Sequence, residues 1–288
     1  MQGTVDGFSY GLVTPLVAYL MACLGGALGL RCTTRSMLVT HTWRPGWLAL
    51  GSAAIGSGIW TMHFIAMMGF SVQETPIHYD KPITFASLGV AILMVGIGIF
   101  IVGYKGASGT ALFTGGTITG LGIASMHYLG MAGMRLNGKL EYNTLTVAAS
   151  VVIAVVAAIT ALWAAGRVRG FLWSVGASLV MGLAVSGMHY MGMAALSVHL
   201  HGSTAGGGPA DSPASVLAPL MIGPLAFLLL AGVVVMFDPL MVMGKPDRIP
   251  AERKPGIPAH MVRHTGRRPL PRPRQRSSRP GSRTPQRW

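Results

Sequence analysis

Seven stretches of 20 or more residues pass without a single Asp, Glu, Lys or Arg: residues 11–30, 47–70, 83–104, 111–134, 144–165, 171–196 and 216–237. At about 1.5 Å per residue, each is long enough for a helix to cross a hydrocarbon layer about 30 Å thick. The runs are apolar on every side, whereas a helix on the surface of a soluble domain shows one polar face. Lipid offers the backbone no hydrogen-bond partner, so such runs form helices; barrel strands would be half as long and would alternate. The pattern predicts an all-α polytopic membrane protein with seven transmembrane helices.

The charges between the runs set its direction. With the N-terminus outside, the inner connections hold Arg31, Arg35, Arg44, Lys105, Arg167 and Arg169. The outer ones hold Lys81, Arg135 and Lys139 together with Asp6, Glu74, Asp80, Glu141 and Asp211. Basic residues collect on the cytoplasmic side, so the expected topology is N-out and C-in. The chain then divides into an external N-terminus, 1–10, a membrane domain, 11–237, and a cytoplasmic tail, 238–288. No basic residue precedes the first run, so it reads as a span rather than a cleaved signal peptide.

Composition agrees: 51% of residues are hydrophobic and 10% are charged, against about a quarter charged in soluble domains. The net charge is concentrated at one end, since residues 245–288 hold 13 of the 22 Lys and Arg and 2 of the 8 acids. This Pro- and Arg-rich segment has no hydrophobic periodicity and is expected to be disordered, lying against anionic headgroups. Trp288 is its sole aromatic residue, so no stacking pattern points to specific nucleic-acid binding. Cys23 falls within a span and Cys32 in an inner connection, which argues against a disulfide between them. The Gly206–Gly208 segment reads as a flexible linker.

Within the spans one motif occurs three times: MHFIAM at Met62–Met67, MHYLGM at Met126–Met131 and MHYMGM at Met188–Met193. The copies are 64 and 62 residues apart, so the repeating unit is a pair of spans and the three motif helices run in one direction. His63, His127 and His189 therefore share one depth, near the outer face, and an internal repeat of this kind brings equivalent positions together around a pseudo-symmetry axis. His and the second Met are four residues apart, on one side of each helix. Gly56, Gly120 and Gly182 lie two turns inward on that side, where small residues let helices approach closely.

These are the only histidines in the spans, and ionisable residues there mark function by default. Imidazole with thioether is a donor set suited to copper, above all Cu(I), rather than to Mg, Ca or Mn. A structural zinc site would carry thiolates. Haem with axial His or His/Met is chemically open, but no attachment motif occurs. With no carboxylate in the spans to orient a His, the chain is not expected to be an enzyme. Two other readings remain at this point: a small transporter for copper or a related ion, and a structural protein whose histidines glue helices together. His78, His199 and His201, in the outer connections, are candidates to gather metal near the site.

The threefold motif resembles the MHYT domain, a bacterial integral-membrane sensory module, over roughly residues 12–237. The resemblance implies a multi-pass protein of the bacterial cytoplasmic membrane that binds a copper ion and senses a diatomic gas (oxygen, CO or nitric oxide) or redox state. By position it implies as ligands Met62, His63, Met67, Met126, His127, Met131, Met188, His189 and Met193, with Tyr128 and Tyr190 at the Tyr position. Phe64 replaces that Tyr in the first copy, and Ile65, Leu129 and Met191 stand where the family has Thr. Family members often carry cytoplasmic cyclic di-GMP or kinase domains. The 51 residues after Phe237 are too few for one, so a stand-alone form signalling through a separate cytoplasmic partner is expected.

Overall fold

The computed structural model describes residues 3–7, 9–39, 41–167, 171–200 and 213–238. His201, Arg169, Asp211, the Gly206–Gly208 segment and the tail from residue 239 lie outside them. Among the described residues there are seven helices: α1 (Val13–Ser36), α2 (Arg44–Met68), α3 (Lys81–Lys105), α4 (Gly109–Ala132), α5 (Thr144–Arg167), α6 (Phe171–Ala194) and α7 (Pro213–Met236). Six of them are long and apolar enough to cross a membrane. The exception, α4, has the same length as its neighbours but is diluted by Gly and Thr. The architecture is that of a multi-pass membrane protein.

Among the described residues six short strands accompany the helices: β1 (Val5–Asp6), β2 (Ser71–Val72), β3 (His78–Tyr79), β4 (Met134–Arg135), β5 (Gly138–Tyr142) and β6 (Leu196–Leu200). They pair antiparallel as β1 with β2, β3 with β4 and β5 with β6. Hydrophobic periodicity does not foretell β1 to β4, because two-residue strands are too short to show a period. The pairing defines the repeat more fully than the motif does. Each unit is strand–helix–helix–strand, closed by a ribbon at the end where the motif helix finishes. One backbone bond recurs beside each ribbon, from Ser9 to Gly69, Asp80 to Gly133 and Asn143 to Ala195, at 3.0, 2.8 and 2.9 Å. Asp80 and Asn143 then cap the next helix, accepting from Ile83 N and from Leu145 N and Thr146 N, which satisfies donors that a helix start leaves open.

The six repeat helices pack in a ring, each against its chain neighbours, with α6 returning to α1 and α7 lying on α1 and α2. Glycines set how close the helices come. A Cβ on Gly25 would lie 2.7 Å from Gly58 Cα, inside the first unit. Between units, a Cβ on Gly56 would lie 2.8 Å from Ile92 Cα, on Gly120 2.4 Å from Val155 Cα, and on Gly182 2.5 Å from Cys23 Sγ. Each motif helix thus presses its glycine against the first helix of the next unit, α2 on α3, α4 on α5 and α6 on α1. At the end away from the ribbons, Arg35 belongs to the last turn of α1 rather than to a solvated connection. Its Nε donates to Asp238 Oδ2 at 2.8 Å, with both side chains largely buried, and its guanidinium lies 5.4 Å from the Trp47 ring.

Candidate functional site

Each histidine sits five residues before the end of its helix as the structure defines it, in α2, α4 and α6 alike. Equal depth, together with the glycine contacts that fix the helix rotations, brings the three rings to one point on the ring axis. The Nδ1 atoms form a triangle with edges of 3.0 Å (His63–His189), 3.1 Å (His127–His63) and 3.3 Å (His189–His127). The rings meet edge-on, at interplanar angles of 84°, 78° and 87°. All three residues are 1% exposed. Among the described residues they are the one grouping of His, Cys, Asp or Glu with ligand atoms close enough to share an ion.

The triangle cannot satisfy itself. The Nδ1 of an imidazole either carries a proton and donates, or carries a lone pair and accepts. Around three corners at least one edge always joins two donors or two acceptors. Nε2 of His63 and of His127 is also buried without a hydrogen-bond partner. Such unmet groups cost about 1–3 kcal/mol each, which helix glue would be expected to avoid. A cation facing three Nδ1 lone pairs removes the conflict. A triangle with these edges has its centre about 1.8 Å from each corner, so metal–nitrogen bonds of about 2.0 Å reach all three atoms from a point beside that centre.

The aromatic residue after each histidine is a buttress. Phe64, Tyr128 and Tyr190 lie 4.6, 4.8 and 5.0 Å from their own imidazole, at 82°, 75° and 79°. This role needs the ring and not the hydroxyl, so Phe serves in the first copy. The Tyr128 hydroxyl is 2.7 Å from Ser150 Oγ, turned to α5 and away from the triangle. Two small residues seat the imidazoles from behind: a Cβ on Gly130 would fall 2.7 Å from His63 Nε2, and one on Gly192 2.4 Å from His127 Nε2. Sequence spacing does not reveal these ring seats, because the contact joins different units.

The methionines divide into layers. Met62, Met67, Met126, Met131 and Met188 are at most 1% exposed, and Met193 is partly buried against the same core. Away from the ribbons the axis is aliphatic. Ile59, Ile123 and Val185 stand one turn from the histidines, and Ile55, Thr119 and Met181 two turns. The cavity among them is about 30 Å³, room for roughly one water. Of the outer histidines, His78 and His199 do not join the site: His78 pairs with Arg135 in the ribbon, and His199 Nε2 lies 3.5 Å from Glu141 Oε2 on the exposed face.

Two segments, 56–115 and 120–178, match MHYT, described as a bacterial signalling protein N-terminal repeat. Both matches begin at the glycine two turns before the histidine; the third copy, from Gly182, lies beyond them. The chain is 37% identical over 192 residues to MucR of Pseudomonas aeruginosa, a bifunctional diguanylate cyclase/cyclic di-GMP phosphodiesterase, covering 65% of this chain and 28% of the relative. It is 34% identical over 217 residues to NbdA, a cyclic di-GMP phosphodiesterase of the same organism, covering 70% and 27%. To the signalling protein YkoW of Bacillus subtilis it is 29% identical over 198 residues, covering 66% and 24%. The alignments thus take in about a quarter of the length of these relatives. No solved structure matches the chain.

Proposed function

Because this chain carries the MHYT repeats of bacterial signalling proteins, we propose that it is a sensory membrane domain holding copper on His63, His127 and His189. The observation that carries this reading is the Nδ1 triangle, which has the size for one ion and no self-satisfied protonation state. Three neutral imidazoles set among thioethers favour copper over hard cations. Bound copper supplies a one-electron couple and an open coordination position for a small neutral ligand such as oxygen, CO or nitric oxide. The chain's own residues orient the donors: Phe64, Tyr128 and Tyr190 brace the rings, and Gly130 and Gly192 seat them.

The ribbon end is the extracytoplasmic face of the bacterial cytoplasmic membrane in this reading, since Arg31, Arg35, Arg44, Lys105 and Arg167 collect at the other end. The sensory role is preferred to metal transport because the axis beyond the histidines is plugged by two layers of mainly aliphatic side chains. A change at the triangle reaches the cytoplasmic end through the glycine contacts between units, where helix lies directly on helix and shifts cannot be absorbed locally. The output passes to a cytoplasmic signalling partner, and the relatives' names point to cyclic di-GMP turnover as its pathway.

Copper analysis of purified wild type beside the H63A/H127A/H189A variant tests the proposal. Stoichiometric copper in the wild type and none in the variant is the expected result. Equal retention would leave the histidines as helix glue, and copper uptake into vesicles would restore the transporter.

A further inference from the structure

The three joints between units share one plan but are not filled alike. At each joint an imidazole of one unit faces the small residue three places past the next unit's histidine. His63 faces Gly130 and His127 faces Gly192; by the same repeat His189 faces Ala66. The first joint is packed by Phe64, which is fully buried, with Met68 five residues past the histidine. At the second, Tyr128 is pinned by Ser150 and by the Tyr142 ring 5.9 Å away. The third has Ala194 where the first has Met68, and there a cavity of about 290 Å³ opens.

This cavity lies between His189, Tyr190 and Met193 of α6 and Ala66 and Met67 of α2, with Val5 and Gly7 of the N-terminal segment beside it. Val5 is exposed, so the cavity reaches the ribbon end. At about 30 Å³ per water it has room for an ion with several waters. Two thioethers and an imidazole line it, with no carboxylate among its lining residues. Donors of this kind hold Cu(I) or Ag(I) and leave hard divalent cations in water.

We propose that Met67 and Met193 form an acquisition site through which a soft monovalent cation, Cu(I), reaches the three imidazoles at the α6–α2 joint. The proposal rests on the reading of the histidines as a copper centre. It makes the repeats unequal: Met67 and Met193 line the cavity, whereas Met131, at the same motif position, is not among its lining residues.

The test is the rate at which metal-free, full-length protein in detergent takes up Cu(I) or Ag(I) from a chromophoric chelator, alongside its final metal content. M67L/M193L should load about tenfold more slowly and reach the wild-type content. A194L, which fills the cavity and keeps both thioethers, should slow loading likewise. M236L, a thioether exposed on α7, should load at the wild-type rate. Wild-type loading rates in M67L/M193L and A194L would overturn the acquisition site and leave the copper centre standing. A lower final content in M67L/M193L would make the two residues ligands of the centre itself and also overturn it. A wild type that takes up neither metal would overturn both readings.

Discussion

Gly192→Ala is the sharpest single perturbation of the imidazole triangle. The added Cβ would lie 2.4 Å from His127 Nε2, 3.0 Å from its Cδ2 and 3.4 Å from its Cε1. Ordinary carbon contacts need about 3.5–4.0 Å, so the ring must retreat by about 1 Å. Metal sites tolerate about 0.2 Å in bond length, which this exceeds severalfold. In the metal-free protein the ring turns aside, so the strain falls mainly on binding. Overpacking costs about 1–3 kcal/mol, and at about 1.4 kcal/mol per decade copper affinity should fall by about 5- to 150-fold. Chelator competition against Cu(I) reads this directly. Gly187→Ala, on the same helix, is the control, because a Cβ there meets nothing within 4 Å. Wild-type affinity and melting temperature in Gly192→Ala would show that the glycine does not seat the ring.

Gly120→Ala should lower thermal stability by about 1–3 kcal/mol, because its Cβ would meet Val155 and Ala154 backbone at 2.4–2.8 Å; an unchanged melting temperature would refute the close α4–α5 contact. Asp238→Ala strands the buried Arg35 charge and should destabilise the fold by about 3–5 kcal/mol, read as a lower unfolding midpoint, while a neutral result would mean the pair is solvated. Hydrogen bonding from the Thr4 side chain foremost, and from the Thr4 amide, which donates to both Glu74 carboxylate oxygens, holds the carboxyl below its ordinary value of 4.5. The contribution is therefore full above that value and lost as pH falls through the lowered one. Hydrogen-exchange protection in residues 3–7, taken relative to intrinsic exchange at each pH, should fall as pH drops below about 4.5, and Glu74→Gln should flatten the dependence; equal protection across the range would detach Glu74 from the N-terminal strand. A reporter fused after residue 245 should read cytoplasmic and one near residue 207 external; the same side for both would break the seven-span topology.

Much of this was legible along the chain. Hydropathy adds up locally, so apolar runs marked every helix, α4 included, although its Gly and Thr leave it less apolar than the other six. The repeat spacing placed the histidines at one depth, because helix rise is constant. Burial of the His–Met face followed from helical periodicity, and the close approaches at Gly56, Gly120 and Gly182 from the need of packed helices for small residues. What lay beyond the sequence depends on rotations and contacts between residues more than thirty positions apart. The Nδ1 triangle needs three helix rotations set by backbone contacts in other units. Two of the three ribbons are too short to carry a period, and the partners in all three are chosen only once the helices have brought loop ends together. Arg35 looked like a loop charge until α7 delivered Asp238. The unequal joints are the clearest case: Phe64 packs the first joint, whereas a cavity opens beside Tyr190 and Ala194 at the third. Packing volume belongs to several chain segments at once, and one segment's pattern cannot report it.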